Sequence, residues 1–165
     1  MPTPLPTDEA ATAWPDDLVD AYRAQWLELT RLAYLLTRNQ AVAEELVQDA
    51  FVAARKRWDR IDNPGGYLRT SVVNATRDWG RRQMVARKHE PTPDEAWRAS
   101  TTDDQPDELW DAIGRLEPDR RQAIVLRFYL DLPDEEIAEI AGCRPATVRT
   151  RIHRALRDLR REVTP

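Results

Sequence analysis

Apolar residues recur at steps of three and four along the first half of the chain, which is the spacing of amphipathic helices. The pattern predicts helices over about residues 16 to 37, 41 to 58 and 67 to 84. The polar residues 38 to 40 separate the first two, and so short a connection favours antiparallel packing. Residues 59 to 66 contain Asn-Pro-Gly-Gly and are predicted to form a loop before the third helix.

Helical spacing is lost over residues 86 to 106 and returns near Asp107. One helix is then predicted from the positions Leu109, Trp110, Ile113 and Leu116. Pro118 is predicted to open another, because its missing N–H would be unpaired in a first turn anyway. The residues that this second helix is expected to turn inward are Ile124, Val125, Phe128 and Tyr129.

Residues 132 to 156 are typical of a helix, a tight turn and a second helix. Pro133 and Pro145 suit the two first turns, and Gly142 suits the left-handed residue that ends a helix. The first helix is acidic and the second is rich in Arg, as in a helix-turn-helix whose second helix enters a DNA groove. The alternative is an ordinary helical hairpin with a solvated basic face.

These patterns predict an all-α chain of two small helical domains joined by a flexible linker. The tail is assigned to residues 1–15, an N-terminal domain of three to four helices to 16–85, an acidic linker to 86–106 and a helix-turn-helix domain to 107–163. The tail and linker are rich in Pro and polar residues, which favours disorder. A free tail is preferred over docking of Trp14 and Leu18 on the first helix.

The net charge of −4 does not point to a nucleic-acid partner, but the distribution of charge does. Residues 55–88 hold ten basic residues against three acidic ones, and residues 144–161 hold seven Arg against one Asp. An acidic stretch separates the two blocks. Two basic blocks predict two points of contact with a polyanion.

Residues typical of catalysis or metal binding are sparse. His89 and His153 have no Cys or carboxylate at ligand or triad spacing, and no phosphate-binding Gly loop is present. Cys143 is the single cysteine, and a small core position is preferred for it over a redox role. We therefore expect no enzymatic activity, no cofactor and no metal. The chain has neither a signal-peptide pattern nor a membrane-spanning apolar run, so a cytoplasmic protein without membrane insertion is expected.

The third predicted helix, from Tyr67, carries regularly spaced Arg residues that suit phosphates, and its Asn74 suits a base edge. An ordinary surface helix explains the same residues equally well. Trp58, Tyr67 and Trp79 suit stacking on the bases of an opened strand, although core packing is preferred for the two Trp residues.

Several runs in order resemble one known family. Residues 43–51, Ala-Glu-Glu-Leu-Val-Gln-Asp-Ala-Phe, followed by Trp58, resemble the polymerase-binding helix of bacterial sigma factors. Residues 63–68, Asn-Pro-Gly-Gly-Tyr-Leu, with the later Val-Asn and Arg-Arg pairs, resemble their −10-reading and promoter-melting segment. Residues 116–156 resemble their −35-reading domain. Two domains and a short linker resemble the extracytoplasmic-function (ECF) group of sigma-70-type factors.

The resemblance implies a specificity subunit that binds core RNA polymerase and supports promoter melting. The implied protein partners are the β′ clamp helices and the β flap, with Glu45, Gln48, Asp49 and Phe51 facing the polymerase. The implied contacts to the −10 element and melted strand are Asp62, Asn63, Gly65, Tyr67, Arg69, Asn74, Arg77, Asp78 and Arg81. The implied contacts to duplex promoter DNA at the −35 element are Arg144, Pro145, Ala146, Thr147, Arg149, Thr150, Arg151 and Arg154.

The group commonly has an anti-sigma factor that covers these faces, which makes such a partner a candidate here. Ala146 and Thr150 depart from the Gly and Ser that are frequent in the group, which bears on promoter preference. The acidic linker, with Asp103 and Asp104, is expected to follow the RNA-exit path of the polymerase. Two alternatives are a helix-turn-helix regulator that does not replace a sigma factor, and a protein that sequesters a sigma or polymerase subunit.

Overall fold

The computed structural model describes residues 14–86 and 108–163, and its regular elements in these ranges are all helical. The chain divides into two compact units, with the boundary after residue 88. The predicted all-α fold of two small helical domains is thereby confirmed. Most of the predicted tail and linker, including Asp103 and Asp104, lies outside the described residues.

The first unit contains α1 (Asp16–Thr37), α2 (Gln40–Arg55), a 3₁₀ turn (Trp58–Arg60) and α3 (Pro64–Ala86). The second unit contains α4 (Glu108–Arg115), α5 (Pro118–Phe128), α6 (Asp134–Ala141) and α7 (Pro145–Val163). No helix within the two described ranges is long and apolar enough to cross a membrane.

Local hydrogen bonds fix the short connection between α1 and α2. Arg38 ends α1 in the left-handed conformation, with φ of 56°, and its amide donates to the Tyr34 carbonyl at 2.6 Å. Asn39 then caps α2, since its side-chain oxygen accepts a hydrogen bond from the Val42 amide at 3.1 Å. The polar residues between the two apolar patterns therefore end α1 at Arg38 and cap α2 at Asn39.

Aromatic rings hold α1 and α2 together in the core of the first unit. The Tyr22 ring lies 4.9 Å from that of Phe51 and 5.0 Å from that of Trp26, measured between centroids. Burial, and secondarily the charge of Glu44, raises the pKa of the Tyr22 phenol. Trp14 packs edge-on against Tyr22 at 6.4 Å, so this residue docks on the bundle instead of belonging to a free tail.

The third helix begins at Pro64, three residues before the predicted start. The Asn63 side-chain oxygen accepts a hydrogen bond from the Gly66 amide at 3.2 Å, and the Asn63 carbonyl accepts one from the Tyr67 amide at 2.9 Å. The predicted loop is thus wrong at its end, because Asn63 caps the helix and Pro64 takes its first position. Gly65 and Gly66 belong to the first turn of α3.

The second unit is built around α7, which packs against α4, α5 and α6. Its core is largely aliphatic, with Leu126, Ile137 and Val148 almost completely buried. Gly142 ends α6 with φ of 65°, which confirms the predicted left-handed position. Pro133 is the residue before α6 and not part of its first turn.

Phe128 corrects another expectation, since this side chain is 63 % exposed instead of turned inward. It is the last residue of α5, and the chain turns back immediately after it. The amide of Leu132 donates to the Leu126 carbonyl at 3.1 Å, and the buried Leu132 side chain takes the inward place. The turn therefore leaves Phe128 on the surface.

Candidate nucleic-acid interface

A cavity of about 520 Å³ lies in the first unit where α2 ends and α3 begins. Its lining combines three cationic side chains, one aromatic ring, and one apolar and two polar residues of the intervening turn: Lys56, Arg57, Arg60, Ile61, Asp62, Asn63 and Tyr67. The volume falls within the usual range of small-ligand pockets. Cations, an aromatic face and amide groups together can hold a nucleotide by charge, stacking and hydrogen bonding.

The cavity brings together three of the predicted site residues, Asp62, Asn63 and Tyr67. Gly65 and Arg69 lie in the adjoining first turns of α3, where the Arg69 guanidinium donates to the Gly65 carbonyl at 3.4 Å. Lys56, Arg57 and Arg60 were counted as part of a basic block in the sequence but not as site residues. Their position directly before the Asn-Pro-Gly-Gly turn is the signal that could have assigned them.

The more distal predicted residues of α3 share one side of that helix, because they recur at steps of three and four. Asn74, Asp78 and Arg81 are exposed, and Arg77 is partly buried. The Arg81 guanidinium lies 3.8 Å from the Asp78 carboxylate, with both side chains about two-thirds or more exposed. Such a surface pair contributes little to stability, so these groups remain accessible to a partner.

On α2 the predicted polymerase-facing residues divide into two sets. Glu45, Gln48 and Asp49 are exposed and form a polar surface. Phe51 is completely buried and packs on Tyr22, so the expectation that it faces a partner protein is wrong for the folded chain. Phe51 follows Gln48 by three residues, so the two side chains lie near each other around the helix axis. Phe51 nevertheless belongs to the apolar side of α2.

On α7 most of the predicted DNA contacts lie at the surface. Arg144, which directly precedes the helix, is exposed, as are Ala146, Arg149, Thr150 and Arg154. Pro145 and Thr147 in the first turn are partly buried, which leaves part of each side chain accessible. The exposed set recurs at helical spacing along the N-terminal half of α7, which is the part of a recognition helix that meets base edges.

Arg151 differs from its neighbours on α7, because its contacts lie within the unit. One guanidinium nitrogen is 3.3 Å from the Asp119 carboxylate of α5, and another donates to the Cys143 sulfur at 3.7 Å. The side chain is only 26 % exposed. In this structure Arg151 therefore joins α5, the turn and α7, and its predicted contact with DNA would require these interactions to break.

Further ion pairs connect α7 to the rest of the second unit. Asp158 pairs with Arg120 of α5, and Glu162 pairs with Arg115 of α4 at 2.8 Å. Asp134, at the start of α6, contacts Arg127 of α5 and lies 3.7 Å from Arg149 of α7. The sequence indicated only that the first helix of the helix-turn-helix is acidic, and no local pattern revealed the contacts of Asp134 with two other helices.

No group of three or more His, Cys, Asp or Glu residues that could hold a metal ion occurs within residues 14–86 and 108–163. His153 is exposed on α7. His89 lies outside the described residues.

Two family models match the chain. The model described as sigma-70 region 2 matches residues 18–85, and the one described as sigma-70 region 4 matches residues 107–159. An RNA polymerase sigma-E factor of Streptomyces avermitilis is 33 % identical over 144 residues, which cover 82 % of this chain and 78 % of the relative. The sigma factor CarQ of Myxococcus xanthus is 34 % identical over 134 residues, covering 76 % of each.

Solved structures show the same fold. The sigma factor RpoE of Bartonella quintana, in complex with the anti-sigma factor NepR, has a TM-score of 0.71 at 23 % identity and covers 92 % of this chain and 100 % of its own. The ECF sigma factor SigJ of Mycobacterium tuberculosis has a TM-score of 0.66 at 28 % identity, with 86 % of this chain and 53 % of SigJ covered.

Two helical units, one with a basic cavity and the other with a helix-turn-helix, together with these matches, define a DNA-binding transcription factor of the sigma class. The chain belongs to the ECF group of the sigma-70-type RNA polymerase sigma factors. It is thus a regulatory protein that acts in transcription initiation by RNA polymerase.

Proposed function

We propose that this sigma factor holds a promoter at two points that differ in the state of the DNA. The first unit holds melted −10 strand, with one unpaired base in the cavity at the start of α3. The second unit places α7 in duplex DNA at the −35 element. The chain is not itself an enzyme, and it works in the cytoplasm, where it supplies specificity to core polymerase.

The single observation that carries this proposal is the lining of the cavity. A duplex hides its bases, and melting exposes a base that can leave the stack and enter a pocket. Tyr67 provides an aromatic face for such a base, and Lys56, Arg57 and Arg60 provide charge for its phosphates. The exposed groups Asn74 and Arg81 on α3 extend the same contacts along the opened strand.

The exposed polar surface of α2, formed by Glu45, Gln48 and Asp49, is proposed to bind the β′ clamp helices of the polymerase. Lys56 and Arg57 of the cavity follow directly after the last residue of this helix, so docking there would carry the cavity to the DNA. The second unit would contact the β flap. The RpoE structure contains the anti-sigma factor NepR, which supports an anti-sigma factor as a further partner here.

On α7 the exposed residues Arg149, Thr150 and Arg154 are proposed to meet duplex DNA, with the helix N-terminus and Arg144 near phosphates. Ala146 is small and exposed, so it permits close approach of the helix to a base pair. Arg151 is left out of this set because of its contacts with Asp119 and Cys143.

The test is run-off transcription with purified core polymerase and genomic promoter fragments. Core polymerase with this chain should start transcripts at defined sites, and core polymerase alone should not. If the chain retards DNA but never supports initiation, a regulator that does not replace the sigma factor explains it better.

Tyr67→Ala tests the cavity itself, with Tyr67→Phe as the control that keeps the ring. The Ala variant should lose about five- to 150-fold in initiation on a fully paired template, because a stacked base contributes about 1–3 kcal/mol. A template already unpaired at the −10 element should recover much of that loss, since melting is no longer required. Equal losses on paired and unpaired templates would contradict a role in capturing a melted base.

A further inference from the structure

Three charged side chains from three helices meet at the start of α6. The Asp134 carboxylate contacts the Arg127 guanidinium of α5, and its other oxygen lies 3.7 Å from the Arg149 guanidinium of α7. Asp134 is 18 % exposed and Arg149 is 61 % exposed. The carboxylate therefore lies beneath the surface, and only the outer cation reaches toward a partner.

This arrangement makes Arg149 different from Arg154, another exposed cation of α7. Arg154 forms no ion pair with another described residue, so its guanidinium is free to follow any phosphate. Arg149 instead lies 3.7 Å from a carboxylate that also contacts Arg127, so one side of its guanidinium faces a negative charge. The carboxylate also offsets one of the two positive charges, so the cluster carries a net charge of only one.

We propose that Asp134 is a positioning residue that sets sequence specificity through Arg149. This inference rests on the proposed function, in which α7 lies in duplex DNA. A phosphate approaching Arg149 would be repelled by the adjacent Asp134 carboxylate, so the cluster binds phosphates poorly. A base edge carries no net charge, so the carboxylate does not repel it, and the guanidinium can still meet its acceptors.

Asp134 thus reduces attachment to the DNA backbone, which carries no sequence information. It preserves contact with the base edges, which carry that information. Removal of the carboxylate charge should free Arg149 to bind phosphates. Affinity for random DNA should rise while discrimination falls. A role confined to stability would lower both affinities in the same proportion.

The experiment uses the full chain assembled with core polymerase and a duplex library with a randomised −35 segment. Sequences selected by the wild-type complex define the preferred duplex, and affinities are then measured for that duplex and for the unselected library. Asp134→Asn should lower the ratio of the two affinities by about fivefold, which is within the range of one base contact. Its binding to the unselected library should also show a salt dependence steeper by about one unit of slope.

Glu136→Gln is the matched control, since Glu136 also lies in the first turn of α6 and is exposed. It forms no ion pair with another residue of the described ranges. This variant loses the same charge at the same helix end, and it should leave the affinity ratio unchanged. An equal fall of the ratio in Glu136→Gln would mean that net charge alone is responsible, and would overturn the proposal.

Arg149→Gln supplies the second half of a double-mutant cycle. In the Arg149→Gln background, Asp134→Asn should change the ratio of the two affinities by less than about twofold, because the guanidinium on which Asp134 acts is absent. A full fivefold change there would refute action through Arg149. If Asp134→Asn fails to fold because Arg127 is left unpaired, the Arg127→Gln/Asp134→Asn variant removes both partners and should show the same loss of discrimination.

Two failures remain distinguishable. If the wild-type complex selects no sequence from the library, the proposed −35 contact fails, and the inference falls with it. If the wild-type complex selects a sequence and Asp134→Asn retains the wild-type affinity ratio, the proposed function stands and the role of Asp134 is wrong.

Discussion

The two units use arginine in opposite ways. In the first unit, Arg57 and Arg60 line an open cavity, and the Asp78–Arg81 pair on α3 is exposed. In the second unit, acidic side chains of α5, α6 and α7 itself contact the Arg residues that surround the helix-turn-helix. Open cations beside an aromatic ring suit a flexible single strand, whereas a cation beside a carboxylate, as Arg149 is, suits the fixed acceptor pattern of a duplex.

The cores differ as well. The first unit packs aromatic rings between α1 and α2, and the second packs aliphatic side chains around α7. The units therefore have different points of weakness. A substitution in one core tests whether the units also unfold separately.

Phe51→Ala is expected to have the largest effect of the changes considered. It removes a completely buried ring, which typically costs about 3–5 kcal/mol. Hydrogen exchange measured by mass spectrometry should show faster exchange across α1, α2 and α3, with the second unit unchanged. Val52→Ala, at an exposed neighbouring position, should change stability by less than about 0.5 kcal/mol. Equal loss of protection in both units would show that they unfold as one.

Arg154→Ala and Arg151→Ala form a pair that separates DNA contact from folding on the same helix. Arg154→Ala should weaken binding to random duplex DNA and reduce the salt slope by about one, with little change in stability. Arg151→Ala should instead lower the unfolding free energy by about 1 kcal/mol, because it breaks a partly exposed ion pair with Asp119. Denaturant unfolding and fluorescence anisotropy measure the two quantities. A reversed assignment would refute the division of α7 that the structure suggests.

The sequence predicted the helices well, because apolar spacing reports directly on which side of a helix is buried. The first predicted helix has the bounds of α1, and the turn at Gly142 follows from its φ requirement. Arg151 was assigned to the −35 contacts because the resemblance implied it. Its position three residues after Val148 and four before Ala155 puts it next to the buried stripe, and this spacing was the better guide.

Contacts between distant parts of the chain could not be predicted in the same way. The links from Asp134 to Arg127 and Arg149 depend on how three helices cross, and no local pattern encodes that geometry. The cavity likewise depends on the path of the chain between α2 and α3. The sequence indicated Asp62, Asn63 and Tyr67 of its lining, but the open cavity that they share with Lys56, Arg57 and Arg60 exists only once the elements are packed.

Asn-Pro-Gly-Gly shows how turn residues can mislead, since all but Asn63 lie inside α3. A Cβ atom on Gly66 would lie 2.9 Å from the side-chain nitrogen of Asn63, whereas one on Gly65 would come no nearer than 3.8 Å to Gln25. A side chain at position 66 would therefore displace the Asn63 side chain that caps the helix, and one at position 65 would not. The same Asn63 side chain lines the cavity, so the cap and the candidate base-binding site depend on one residue.

Substitutions at Gly65 and Gly66 have the smallest expected effects on stability, and each variant is the control for the other. Gly65→Ala should stabilise the first unit by about 0.5 kcal/mol, because it restricts the unfolded chain without a clash. Gly66→Ala gains the same entropy but must displace Asn63, and loss of that cap costs about 1 kcal/mol. Denaturant unfolding should therefore find Gly65→Ala more stable than Gly66→Ala by about 1 kcal/mol. Equal stabilities would mean that the Asn63 side chain moves aside at no cost. The cavity of the first unit would then have no fixed amide group to hold a base.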